Sequence, residues 1–205
     1  MLERLESLRR WGLMIGGAVL VAAVVGGVLS GYVGAPAGEY ETRQGNILLT
    51  DGKHAQALER FDAALAVKPQ HRGAMMGRAI ALLQDGRLDA AEAAFGAFIA
   101  HLETTTAPDD GAMRGALAAA YADRGILHDR AGRPEQALAD YRRALAIDGA
   151  AVAGPGFIDR VLYGIPKPAT VAKRIAYLEA QLKLPPAERV LSRPEIDARQ
   201  RMYEP

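Results

Sequence analysis

The sequence predicts an all-α protein: an N-terminal transmembrane helix, then a short solenoid of helix-turn-helix units with a C-terminal capping helix and tail. Three observations predict this architecture. A Gly-Ala-aromatic pattern recurs at long intervals, which is typical of stacked helical hairpins. Half of the 205 residues are hydrophobic but only 6% are aromatic, and such an alanine-rich composition favours close-packed helices. One long run near the N-terminus carries no charge at all.

The uncharged run extends from Trp11 to Gly38. We assign residues 1–10 to a segment before the membrane, 11–33 to the transmembrane helix and 34–38 to a linker, because about 20 apolar residues cross a bilayer as a helix. A cleavable signal peptide is the alternative, since Ala35-Pro36-Ala37 resembles a cleavage site. The apolar run, however, exceeds the roughly 7–15 residues of a signal-peptide core.

The orientation of this span follows from its flanking charges. Arg4, Arg9 and Arg10 precede it, and the first arginine after it is Arg43. The positive-inside rule therefore predicts a cytoplasmic N-terminus. In a bacterium this makes a single-pass protein of the inner membrane with its repeats in the periplasm.

Small residues recur at four-residue spacing within the span, in two adjacent series that include Ala22 and Gly26 in one and Gly27 and Gly31 in the other. Such a ridge lets a second helix approach closely. It predicts a helix-packing face within the membrane. The alternative is that glycine and alanine are simply common in membrane spans.

The pattern that organises the rest of the chain begins with a glycine, followed by an alanine five residues later and an aromatic residue four residues after that. Its three copies are Gly52, Ala57 and Phe61; Gly86, Ala91 and Phe95; and Gly132, Ala137 and Tyr141. The first two copies are 34 residues apart and the last two 46 apart, which indicates an insertion of 12.

With these positions the chain resembles the tetratricopeptide repeat family over residues 39–149. The family pattern also has a small residue in the first helix of each unit, here Gly45, Ala79 and Gly125, and a second alanine in the next helix, here Ala64 and Ala144 with Phe98 between them. The resemblance implies three helical hairpins, whose first helices line a concave face. The insertion falls at Thr104–Gly111, where proline, glycine and aspartate predict a loop, and one long helix should follow from near Asp110.

Residues 150–205 are predicted to close the stack. Residues 170–184 read as an amphipathic helix with Val171, Ile175, Leu178 and Leu182 on its apolar side and Arg174 among the residues of its other faces. Repeat stacks need such a capping helix. In the tail beyond it, Ile196, Arg199 and Tyr203 share one helical face. This tail either contacts a partner or packs on its own repeats.

The concave face is the predicted partner-binding groove. Its candidate residues are Asn46, Met76, Ile80, Leu83, Ile126 and Asp129, a mostly apolar set that suits an apolar helix or extended segment. The family members that clamp a peptide carboxylate have basic residues where this chain has Ala122 and Ile126, so a carboxylate clamp is not expected. The alternative is that the chain's own C-terminal helix fills the groove.

No residue pattern indicates catalysis. The four histidines lie at no metal-ligand spacing, there is no cysteine, and a net charge of +1 offers no excess to attract nucleic acid. We therefore expect no enzyme activity, no cofactor, no metal and no small-molecule substrate.

Anchor and repeats together predict a scaffold that acts as an accessory subunit or assembly factor of a membrane or periplasmic protein complex. The alternative function is a periplasmic holdase that delivers an apolar client during enzyme or cytochrome maturation.

Overall fold

The computed structural model describes residues 19–23, 25–26, 36–107, 109–154 and 170–192. From residue 36 onward, these ranges contain helices and no strand. The α-helices are α1 (Glu39–Thr50), α2 (His54–Val67), α3 (Arg72–Gln84), α4 (Leu88–Thr105), α5 (Gly111–Arg130), α6 (Pro134–Asp148) and α7 (Val171–Leu182), and a short 3-10 helix follows at Pro186–Glu188. The all-α prediction is confirmed for this part of the chain.

Each hairpin turns at the glycine that begins the sequence pattern. Gly52, Gly86 and Gly132 have φ values of 72°, 77° and 70°, a left-handed conformation that L side chains rarely adopt. In each turn the glycine amide donates to the carbonyl three residues back, and the next amide donates to the carbonyl five residues back. This pair of bonds satisfies the last carbonyls of the first helix, so one glycine both ends that helix and sets the hairpin angle.

The hairpins α1–α2, α3–α4 and α5–α6 stack in order. The first helices, α1, α3 and α5, also contact one another and form one layer, while each second helix packs on the first helix of the next hairpin. Helix α7 packs on α6 in the same way. It therefore takes the place that a fourth hairpin would take.

The aromatic residue of each unit is buried in the core between helices. Phe61, Phe95 and Tyr141 are almost completely buried. A Cβ atom built on Gly45 would lie 2.6 Å from the Phe61 ring, and one built on Gly77 would lie closer still. The ring thus fills the space between a glycine of its own hairpin and a glycine of the next, and this contact couples the two units.

The loop that the sequence predicted at Thr104–Gly111 is present but shorter, at residues 106–110, and most of the 12-residue insertion lengthens the two flanking helices. Helix α4 is four residues longer than α2, α5 is seven longer than α3, and the connection between them is one residue longer. The hydroxyls of Thr104 and Thr105 donate to the carbonyls of Ala100 and His101, four residues back, so these β-branched residues continue the helix. The long helix after the connection starts as predicted, with Asp110 accepting a bond from the Met113 amide at 3.0 Å.

The start of the repeat region is more ordered than a flexible linker. Gly38 is buried, with φ 81°, directly before α1. Its carbonyl accepts both the Thr42 amide at 3.0 Å and the Thr42 hydroxyl at 2.7 Å. Gly38 therefore belongs to the packed repeats and not to the linker to which the sequence assigned it.

Candidate protein-interaction surfaces

The predicted groove residues of the second unit belong to the core. Met76, Ile80 and Leu83 lie on α3 and are at most 4% exposed, whereas Asn46 on α1 is partly exposed. These three side chains are therefore not part of an open surface in this structure. Their role in binding a partner stays a prediction, and such binding would require whatever shields them to move.

The groove residues of the third unit contact the capping helix instead. Ile126 packs in one cluster with Tyr141 and with Leu178 of α7, which is 0% exposed. The Asp129 carboxylate accepts two bonds from the Arg174 guanidinium, at 2.6 and 2.7 Å. This end of the groove is occupied by the chain itself, as the alternative interpretation of the sequence proposed.

Arg174 departs from its predicted place on a polar face of the helix. Its side chain is 6% exposed, and it also donates to the Leu191 carbonyl at 2.8 Å and lies 5.2 Å from the centre of the Tyr177 ring. A buried arginine is tolerated only when it is paired. Arg174 lies at helical spacing from both Val171 and Leu178, so the helix net could have placed it on the packed side.

The Tyr141 hydroxyl lies 3.4 Å from the same Asp129 carboxylate. Burial raises the pKa of Tyr141 far above its ordinary value, with Asp129 acting in the same direction. The hydroxyl is therefore neutral at every physiological pH. It hydrogen-bonds to the carboxylate that Arg174 also binds, and so adds to the Asp129–Arg174 pair.

Residues 184–192 fold back along α7 as a strap. Arg189 donates to the Leu184 and Leu182 carbonyls, the Val190 amide donates to the Gln181 side chain, and the Tyr177 hydroxyl donates to the Val190 carbonyl. As the strap advances, its partners move towards the start of α7. Leu191 then packs on the cluster that contains Ile126, so the strap ends at the concave face of the third unit.

The outer face of α1 is an exposed apolar surface that the sequence did not single out. Tyr40 and Ile47 are 48% and 56% exposed, with Arg43 between them held to Glu39 at 3.0 Å. The same repeat positions on the later helices, Ala74, Ala81, Ala120 and Leu127, are completely buried. Aligning the units would have revealed it, because among the described residues only the first unit lacks a preceding hairpin that covers these positions.

A polar network joins the two helices of the third hairpin. Arg124 makes two bonds of 2.8 Å to the Asp140 carboxylate, and His128 Nε2 lies 3.3 Å from the same carboxylate. The hydrogen bond to Asp140 raises the pKa of Arg124, and burial lowers the pKa of His128. Arg124 and Asp140 form a structural ion pair. In the described part of the chain no group of three or more His, Cys, Asp or Glu residues could hold a metal ion.

Of the other predicted contact residues, the structure describes only two. Ala22 and Gly26 are helical and exposed, and an added Cβ on Gly26 would meet nothing within 4 Å. Gly27 and Gly31 lie outside the described residues, as do Ile196, Arg199 and Tyr203 of the tail. Among the residues that are described, no helix has both the length and the apolar character needed to cross a membrane.

Comparison with known proteins identifies the family to which the repeats belong. A search of curated proteins found no match to the chain. Two tetratricopeptide repeat families match it, one over residues 42–110 and the other over residues 118–150. These ranges cover α1 to α4 and most of α5 with α6, and repeats of this kind generally mediate protein–protein contacts. The chain therefore carries tetratricopeptide repeats, of a class whose members are typically interaction scaffolds.

Proposed function

We propose that this protein is a single-pass scaffold of the bacterial inner membrane, with its repeats in the periplasm. It acts as an accessory subunit or assembly factor of a membrane or periplasmic protein complex. The observation that carries the proposal is the asymmetry of the stack. Helix α7 and the strap close one end, whereas Tyr40 and Ile47 leave the α1 face at the other end uncovered.

The open end is also the end nearest to the predicted anchor. Five residues separate position 33 from the start of α1 at Glu39, and five residues span at most about 17 Å. A partner that contacts the α1 face therefore lies at or close to the membrane surface. Scattered apolar residues are normal on protein surfaces. The α1 face differs from these because the equivalent positions of both later units are buried in helix packing.

The holdase alternative would need an accessible apolar surface for its client. Met76, Ile80 and Leu83 are buried, so the concave face offers none in this structure. The α1 face, with two large apolar residues and an ion pair, is small and suits a defined partner better than a variety of unfolded clients.

Co-purification of the full-length protein in mild detergent, with mass spectrometry of its companions, tests the proposal. The informative variant is Ile47→Glu, and the matched control is Val67→Glu on α2, because Val67 is similarly exposed at 61%. We expect Ile47→Glu to lose a stoichiometric partner that Val67→Glu retains, while both keep the stability of the parent within about 0.5 kcal/mol. A protein that emerges alone, or a partner that survives both changes, argues against this surface.

Topology needs its own experiment. A reporter that is active only in the periplasm, fused after Pro205, should be active if the positive-inside rule sets the orientation. The control is a fusion in which Arg4, Arg9 and Arg10 are moved to the other side of the run, and its activity should fall. A silent parental fusion would place the repeats in the cytoplasm.

A further inference from the structure

Burial of the concave face is uneven along the stack and is greatest at the second unit. In the first unit, Asn46 and Leu49 are partly exposed. The same positions in the second unit are Ile80 and Leu83, which are at most 2% exposed, and the corresponding residue of the third is Ile126 at 5%. Thr42 of the first unit is buried as well, and Asp129 of the third is partly exposed, so the face is shielded from solvent most completely at the second unit.

The described part of the chain accounts for this shielding at the third unit. Arg174 pairs with Asp129, and Leu178 and Leu191 pack in the cluster around Ile126. Both elements belong to the C-terminal region. Met76, Ile80 and Leu83 belong instead to the large core cluster, which contains neither Leu178 nor Leu191.

The strap ends, at Leu191, next to the concave face of the third unit. Its hydrogen bonds progress from Leu182 to Gln181, Tyr177 and Arg174, so the backbone at Leu191 runs towards the repeats. Residues 193–205 continue from this point. Adjacent packed helices lie about 8–10 Å apart, and 13 residues span about 20 Å as a helix. The tail is long enough to cross from the third unit to the second.

The composition of the tail matches that face. Ile196 and Tyr203 are seven residues apart and share one helical side, and the three arginines of residues 193–205 are balanced by Glu195, Asp197 and Glu204. A segment with an apolar side and balanced side-chain charges suits a face that presents the apolar residues Met76, Ile80, Leu83 and Ala122.

We propose that residues 193–205 lie along the concave face of the second and third units and occupy it as an intramolecular ligand. The concave face is then a latent groove. A partner that binds it must displace the tail and must itself present an apolar helix or extended segment. This inference concerns the concave face and depends neither on the membrane anchor nor on a partner at the α1 face.

Thiol accessibility tests the proposal, because the chain contains no cysteine and a single introduced thiol reports on one site. We expect Ile80→Cys to react slowly with a maleimide in the full-length protein and at least about tenfold faster when residues 193–205 are removed, since reactivity follows the open fraction of the site. A synthetic peptide of residues 193–205, added to the truncated protein, should slow the reaction again.

Two controls keep the result interpretable. Leu102→Cys, at a completely buried position of α4 outside the concave face, should stay unreactive in both forms and would reveal general unfolding. If the truncated protein does not fold, the double substitution Ile196→Asp with Tyr203→Asp in the full-length chain takes its place. Equal, slow labelling of Ile80→Cys with and without an intact tail, in a folded protein, overturns the proposal.

Discussion

Two glycines flank the Phe61 ring and set how closely the first two hairpins approach. A Cβ atom on Gly77 would come closer than 3.0 Å to two ring carbons, a separation that packed atoms do not tolerate. We expect Gly77→Ala to lower the free energy of unfolding by about 1–3 kcal/mol through overpacking, measured by urea denaturation. This is opposite to the usual effect of replacing glycine in a helix.

Gly96 is the matched control for this prediction. It lies within α4 and an added Cβ would meet nothing within 4 Å. Gly96→Ala should therefore stabilise the protein by about 0.5–1 kcal/mol, because alanine has the better helix propensity. If both substitutions stabilised the protein, the close approach of Gly77 to Phe61 would be wrong.

His128 should make stability depend on pH. Burial lowers its pKa in the folded protein below the ordinary 6.5, while Asp140 opposes and Arg133 and Arg124 reinforce the shift. Protonation of His128 therefore favours the unfolded state. The free energy of unfolding should be independent of this group above about pH 6.5 and should decrease as the pH falls below that value. His128→Gln, which keeps a donor towards Asp140, should flatten this part of the unfolding profile.

At the scale of helices and turns, the features that sequence predicted correctly are those that depend on neighbouring residues. A turn glycine, a capping aspartate and an apolar helical stripe each act within a few residues, so Gly52, Asp110 and the helix around Leu178 were found correctly. The loop of the insertion was predicted too long because threonine, by its propensity, signals a loop. The hydroxyl bonds of Thr104 and Thr105 to carbonyls one turn back became visible only in the folded helix.

The candidate sites were less predictable because they depend on contacts distant in sequence. Asp129 looked like a groove residue and Arg174 like a surface residue, yet they pair across 45 positions. Likewise, nothing in the residues Tyr40 and Ile47 themselves marks them as exposed. Their exposure follows from the absence, within the stack, of a hairpin before the first.

Replacing one partner of the Asp129–Arg174 pair should destabilise the protein strongly, because the other partner then remains charged and buried. Arg174→Met leaves a buried carboxylate without its counterion, which typically costs about 3–5 kcal/mol. We expect a loss of this size in urea unfolding, together with increased proteolysis after α6 as the capping helix detaches. A loss below about 1 kcal/mol, the typical range of an exposed ion pair, would mean that the two side chains are not buried together in solution.

A double substitution separates the charge from the packing. Asp129→Leu combined with Arg174→Met removes both charges and keeps apolar volume against Ile126 and Leu178. Such replacements of buried ion pairs are often neutral or stabilising, so most of the loss should be recovered. If the double variant is as unstable as Arg174→Met, the pair contributes through its geometry and the Leu191 contact instead of through charge balance.

At the scale of the whole molecule, the described helices form a linear stack in which the main contacts of each hairpin are with its neighbours. Its stability should then be a sum of unit and interface terms, with the capping helix acting mainly on the third hairpin. We expect removal of residues 155–205 to increase amide hydrogen exchange in α5 and α6 by at least about tenfold, while α1 and α2 change several-fold less. Hydrogen-exchange mass spectrometry on both forms measures this gradient directly. Equal increases in all helices would show that the three hairpins unfold as one cooperative unit, and the capping helix would then stabilise the open α1 face as much as the closed end.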